Sequence, residues 1–294
     1  MLLFMLASGL TLILSLMGTL NFAHSNFYML GAYLGFECSR RLGFWPGLVI
    51  APLGTGIAGA VLARFGLMRA NRLGEGADLL FTIGLAFVIG EMVQMVWGKS
   101  PVDYRVPASL RFVAFTVFDT EYPAYRLFML LSSIVLFVAL LVMMKKTRLG
   151  LLVQACVSNP TTVATLGHNV PLIQMLMFGF GCALAGFAGA IAGPALITEP
   201  YMADQLGPVL FVVVIVGGLG SLGGALASSL LFGLLQTFTV AFDISLEKIF
   251  GPTQSMWLQQ IWTVSGARVA PMIPYLLLIL VLTVRPQGLM GNRQ

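Results

Sequence analysis

Apolar residues fall into eight runs, at about 2–20, 26–38, 45–68, 78–97, 126–144, 171–197, 208–240 and 271–285, each bounded by charges or turn residues. Most are long enough to span a bilayer, which takes about 20 apolar residues. They predict an all-α polytopic membrane protein of about eight transmembrane helices in a single domain, 1–294. Two runs are irregular. The second is short for a crossing and follows a polar break at 21–26, and the seventh is long and interrupted by glycines at 217–224. Three polar pieces lie between runs, at 98–125, 145–170 and 242–270.

Composition supports lipid as the solvent. Of 294 residues, 58% are hydrophobic and 9% charged, against roughly 25% charged in soluble domains. The net charge of +5 comes from short groups between runs: Arg40 with Arg41, Arg69 with Arg72, Lys145 with Lys146 and Arg148, and Arg285 with Arg293. That distribution matches cytoplasmic loop ends of membrane spans, not a nucleic-acid surface. Placing Lys145–Arg148 inside puts the mixed-sign piece 98–125 outside and Arg69 and Arg72 inside, but leaves Arg40 and Arg41 outside, against the positive-inside rule. Cys38, Cys156 and Cys182 are dispersed and read as small packing residues, with neither a disulfide framework nor a metal site. The apolar run begins at Met1 without a basic segment before it, so the first segment is read as a retained span.

Small residues at Gly181, Ala185, Gly189 and Gly193 recur every fourth position, which on a helix makes a flat stripe for close backbone approach. Two nucleotide-like patterns fail on context. Gly98-Lys99-Ser100 lacks the glycine a phosphate loop needs at 93, where Val93 stands. Phe211–Val216 followed by Gly218-x-Gly220-x-x-Gly223, with Asp243 beyond, fits the dinucleotide spacing, but the helix predicted from Leu222 to Val240 has no charged face. The alternative is a glycine-broken membrane segment of Gly217, Gly218, Gly220 and Gly223, whose freed backbone groups must be packed in protein or line a water path. The other break, Asn21-Phe22-Ala23-His24-Ser25-Asn26, is either a pathway element or a pair of helix caps with His24 in a hydrogen-bonded niche. Glu91, two turns from the end of its span, is expected to reach toward the outer interface. No paired catalytic groups occur at membrane depth, and the second histidine, His168, lies in the cytoplasmic piece. Within 150–170, apolar and polar residues interleave and Pro160 follows Asn159, which predicts two short amphipathic helices able to rest on the membrane or dock into a partner.

These residues resemble the permease subunits of ABC importers for branched-chain amino acids and related small solutes. Asn21-Phe22-Ala23-His24 followed by Tyr28-Met29-Leu30-Gly31-Ala32-Tyr33 is similar to that family's N-terminal signature, and Thr82-Ile83-Gly84-Leu85 to its fourth-span motif. Gln154-Ala155 through Asn159-Pro160, with Ala164, Gly167 and Asn169, resembles its cytoplasmic coupling segment. Gly217-Gly218-Leu219-Gly220-Ser221 resembles its glycine break and Arg285-Pro286-Gln287-Gly288-Leu289 its C-terminal ending. The resemblance implies a multi-pass subunit of the cell inner membrane, no enzyme activity and no cofactor or metal of its own. The implied partners are separate ATPase subunits on the coupling segment, a second permease subunit, the same or different, a periplasmic binding protein and an amino acid substrate. It also implies a solute pathway beside Asn21, His24, Ser25, Asn26 and Tyr28. Departures are Ser25-Asn26 where the family has Gly-Glu, Arg69-Ala70-Asn71-Arg72 in the basic loop, and further residues expected before Met1, so that this start reads as truncated or misassigned. The contrasting reading is an ion-coupled secondary transporter of small amphipathic solutes, which favours buried carboxylates and paired broken helices.

Overall fold

The structure, a computed structural model, describes residues 1–74, 76–117, 120–242 and 265–291. Backbone groups cannot be left to lipid, so the chain satisfies them within helices. Among the described residues these are α1 (Leu2–Met17), α2 (His24–Leu42), α3 (Phe44–Ala70), α4 (Ala77–Trp97), α5 (Ala124–Lys146), α6 (Arg148–Ser158), α7 (Pro160–Thr165), α8 (Val170–Ala192), α9 (Met202–Gly217), α10 (Leu222–Phe242) and α11 (Gly266–Val284). α3, α4, α5, α8, α10 and α11 are long and apolar enough to cross a bilayer; α1, α6 and α9 are shorter apolar helices. The chain divides into two compact units, Met1–Leu210 and Phe211–Gln294.

In the first unit α1, α2 and α3 all pack on α8. Burial reaches 72% of the apolar window of α8, against 11% for α5 and 17% for α4. α8 is therefore the centre, and α4 and α5 present most of their surface outward. The small residues predicted to form a stripe make this possible. A Cβ at Gly9 would stand 2.6 Å from the Gly181 carbonyl oxygen, and one at Gly31 would fall on the backbone of Gly186. Helices that touch backbone to backbone maximise dispersion where no hydrophobic force separates protein from lipid.

The boundaries differ from the sequence reading in five places. α1 ends at Gly18 (φ +67°), whose N–H bonds the Leu14 carbonyl at 2.9 Å; the interruption is thus at 18–23, and His24, Ser25 and Asn26 form the first turn of α2. The sixth run stops at Ala192, ahead of Gly193 and Pro194. The seventh, broken within 217–224 as expected, starts earlier, at Met202, and is two helices, α9 and α10, joined through Gly218 and Gly220 at positive φ. The eighth begins earlier, at Gly266. Finally, the polar piece after α4 contains an antiparallel hairpin, β1 (Val113–Val117) with β2 (Thr120–Pro123), where only an irregular loop was expected. Most of the piece 242–270 lies outside the described residues, as do Asp243 and Arg293.

One end of the first unit carries an aromatic cluster. Phe44, Tyr104 and Tyr125 are buried together with Phe36 and Phe128 around them; the Phe44 and Tyr125 ring centroids are 6.0 Å apart. This joins the end of α2, the start of α3 and the start of α5. The Tyr104 and Tyr125 hydroxyls donate to the Ala190 carbonyl (3.2 Å) and the Ile191 carbonyl (2.7 Å), satisfying acceptors that the C-terminus of α8 would otherwise leave open. Arg40 and Arg41 sit at this same end, opposite Lys145 and Lys146. Both hydrogen-bond Glu37, at 2.8 and 2.7 Å, so the carboxylate offsets part of the positive charge that conflicted with the topology rule.

Candidate functional site

The N-terminal signature residues are inside the bundle. Asn21, His24, Ser25, Asn26 and Tyr28 are all buried. His24 Nε2 pairs with the Leu6 carbonyl oxygen at 3.1 Å, where Gly9 has no side chain to block the ring. Asn21 Oδ1 accepts the Ala23 N–H at 3.1 Å and so fixes the turn into α2. Ser25 lies under Gly207 of α9, whose Cβ would come within 3.1 Å of its Oγ. Asn26 Nδ2 donates to the Ala86 carbonyl at 2.8 Å, and the Thr82 hydroxyl donates to the carbonyls of Leu79 (3.0 Å) and Leu20 (3.4 Å). The signature and the fourth-span motif therefore meet: the break and the first turn of α2 are stitched to α4. Two polar atoms here, Asn21 Nδ2 and His24 Nδ1, are buried without a hydrogen-bond partner, as is the Tyr33 hydroxyl further along α2 beside Trp97. Below the break, at the end of the unit that holds the Asn71 turn, is an open cleft of about 520 Å³ lined by Gly18, Thr19, Asn71, Gly74 and Asp78 among others.

The coupling candidates are arranged oppositely. Gln154, Ala155, Asn159, Pro160, Ala164, Gly167 and Asn169 are all exposed, while Gly150, Val153, Cys156 and Val163 turn inward. Each helix start has its side-chain cap. Thr147 Oγ1 accepts the Gly150 N–H (3.2 Å), Asn159 Oδ1 the Thr162 N–H (3.0 Å) and Asn169 Oδ1 the Leu172 N–H (3.1 Å). Gly150 is required because a Cβ there would strike the Met143 and Met144 carbonyls as the chain turns out of α5. Gly167 closes α7 at φ +87°, a conformation that side-chain-bearing residues rarely adopt. Large apolar side chains, Leu149, Leu151, Val157 and Leu166, stand exposed on this pair. Burial pushes the Cys156 thiol above its ordinary value. At the other end of the unit, in the loop after α4, the Arg105 guanidinium holds the Asp103 carboxyl below its ordinary value.

In the second unit the glycine break and the C-terminal motif meet. Gly217 and Gly224 touch backbone to backbone, and Ser221 Oγ caps α10 by accepting the Gly224 N–H at 3.0 Å. The carbonyls of Val216 and Gly217 accept the N–H groups of Leu289 (2.8 Å) and Met290 (3.1 Å). A Cβ at Gly218 would lie 3.1 Å from the Gln287 carbonyl oxygen. The freed groups of the break are thus packed in protein. Phe211–Val216 is helical, so the strand that a dinucleotide fold requires before its glycines is missing.

Sequence reasoning missed the tyrosine pair at the end of α8, because nothing local ties Tyr104 and Tyr125 to carbonyls at 190 and 191. It also missed the π-helical turn at Ala63–Leu67 within α3, where Gly66 makes room for the Phe81 ring.

A bundle of apolar helices, an exposed amphipathic helix pair and a glycine interruption packed in protein describe a membrane permease. The chain belongs to the family of branched-chain amino acid transport system permease components, whose model matches residues 1–282. It is 23% identical to the high-affinity branched-chain amino acid transport system permease protein LivH of Escherichia coli (strain K12), over 98% of this chain and 91% of that protein. It is 25% identical to BraD of Pseudomonas aeruginosa over the same shares, and 27% identical to a probable LivH of Methanocaldococcus jannaschii over 80% of this chain and 76% of that protein. No solved structure matches the chain. It is therefore a multi-pass inner-membrane permease subunit of an ABC importer, and ATP hydrolysis is carried out by separate subunits.

Proposed function

We propose that this subunit moves branched-chain or closely related amino acids inward, with α6 and α7 as the seat of the ATPase and a second permease completing the path. A periplasmic binding protein delivers the solute at the aromatic end. The observation that carries the reading is the capped helix pair 148–165. It follows the basic cluster Lys145–Arg148, exposes every coupling candidate, and leaves large apolar side chains bare. ATP binding to a partner dimer would move this pair as a lever and bias the bundle between two access states.

The route passes beside Asn21, His24, Ser25, Asn26 and Tyr28. Their closed packing is one state, and the buried polar atoms without partners are what a second state would engage. Both compact units act in one permease domain, a reading supported by the family match running through their boundary. The amino acid substrate is carried over from the permeases named LivH and BraD.

The test is to isolate the protein from its native membrane in mild detergent, identify what copurifies, and reconstitute the complex for ATP-dependent uptake of leucine. A stoichiometric ATPase and leucine accumulation are expected. Gly167→Val, which the positive φ disfavours, should weaken ATPase association while membrane insertion continues. A chain that copurifies with no ATPase under conditions that preserve other ABC complexes would refute the reading.

A further inference from the structure

α4 has two unlike faces. Thr82, Leu85, Ile89 and Val93 are buried in its own subunit, whereas Ile83, Phe87, Glu91 and Met95 form a bare ridge on the opposite side. Glu91 lies six residues before the helix ends at Trp97, about 9 Å along the axis at 1.5 Å per residue, inside the candidate membrane span and not at its end. No cation or donor pairs with its carboxylate among the described residues. The bare face of α5 is the useful comparison. Leu131, Ile134, Val135, Val138 and Val142 are exposed there, and no ionisable residue occurs between Arg126 and Lys145. One outward face is therefore built for lipid and the other is not, because an acid in a membrane helix characteristically faces a water-filled cavity or a partner charge.

Gly84, on the same bare side two turns from Glu91, is the second sign. The glycines of α2 and α8 that adjoin other helices touch a neighbouring backbone, but a Cβ at Gly84 would meet nothing within 4 Å. Among the described residues it serves no packing, and it leaves a notch in the surface of α4. The combined face offers one carboxylate among apolar and thioether side chains.

We propose that this face of α4 lines a second stretch of the aqueous route, the one completed by the second permease and separated by α4 from the stretch beside Asn21–Tyr28, and that Glu91 there supplies the counter-charge for the ammonium group of the passing solute. This rests on the import reading above and narrows it to zwitterionic amino acids. An ammonium ion and an aliphatic side chain are what a lone carboxylate beside Phe87, Met92 and Met95 can recognise; urea or a short amide offers no cation. 

The experiment uses the intact complex in proteoliposomes, with its ATPase and second permease. Glu91→Gln should lower leucine uptake by about tenfold or more, the loss of one charge-assisted contact, with subunit stoichiometry and basal ATP hydrolysis unchanged. Glu91→Asp should keep most of the uptake. In a background with Cys38, Cys156 and Cys182 replaced by Ala, Glu91→Cys should react with a membrane-impermeant cationic thiol reagent faster than Val135→Cys on α5. Wild-type uptake by the Glu91→Gln variant, loss of the second permease from it, or equal labelling at 91 and 135 would each overturn the proposal alone. A wild-type complex that hydrolyses ATP but moves no amino acid would overturn the substrate reading and this proposal with it.

Discussion

Gly31→Ala tests whether backbone contact with α8 holds the first unit together. The new Cβ would stand 2.7 Å from the Gly186 carbonyl carbon and closer still to its Cα and oxygen, and none of these is the yielding end of a flexible side chain. Ordinary carbon contact lies at about 3.5–4.0 Å, so α2 and α8 must part by roughly 1 Å, a gap that forfeits about a quarter to a half of each dispersion well across it. If the affected contacts equal those of one buried side chain, about 40–60 atom pairs at about 0.1–0.2 kcal/mol, the loss falls between roughly 1 and 6 kcal/mol and centres on roughly 2–3 kcal/mol, within the usual overpacking range. Better helix propensity of Ala returns about 0.5–1 kcal/mol. The net expectation is roughly 1–2.5 kcal/mol of destabilisation, a shift of about 5- to 70-fold in the folded-to-unfolded ratio. Reversible unfolding in mixed micelles containing dodecyl sulfate measures it. Gly233→Ala is the reference, since a Cβ at Gly233 meets nothing within 4 Å. Equal unfolding midpoints for the two variants would refute the backbone-contact argument.

Tyr125→Phe removes the donor to the Ile191 carbonyl, 2.7 Å away, and should cost about 1 kcal/mol by the same unfolding measurement; Tyr104→Phe, whose bond is 3.2 Å, should cost less. Cys156 should alkylate slowly in the folded protein near pH 8. Burial raises its thiol above the ordinary 9.0, so the reactive thiolate is scarcer below that pH than in a free cysteine and increases as pH rises past it. Rate profiles of native and unfolded protein would check this, and coincident profiles would refute it.

The helix pair at 148–165 was legible because its signals are local. Thr147, Asn159 and Asn169 each cap the helix that follows, and Pro160 after Asn159 separates two helices. The stripe of α8 was legible for the same reason, as periodicity within one helix. The Gly217–Gly224 interruption could be read, but not its partner, since nothing in Gln287–Met290 announces hydrogen bonds to carbonyls 216 and 217. His24, Ser25 and Asn26 were placed in a break because a polar run interrupts two apolar ones, and the partners that let the helix start at His24, the Leu6 and Ala86 carbonyls, lie on other helices. As expected of polar groups at membrane depth, those side chains are the inside of α2, and Leu42 of α2 with Trp45 and Val49 of α3 are on the outside. The hairpin of β1 and β2 was hidden by the prolines and mixed charges of the piece 98–125 around it, which mark a loop without fixing its shape.

The central position of α8 has a consequence for biosynthesis. α2 ends at Leu42 and α8 begins at Val170, and at about 5–20 residues per second roughly 6–25 s separate their synthesis. Through that interval the first three helices enter the bilayer with bare glycine faces where α8 will later pack. The nascent chain must be sheltered by the insertion machinery or held in provisional pairings until α8 arrives, and damage to α8 would then be felt first as failed assembly of helices made long before it.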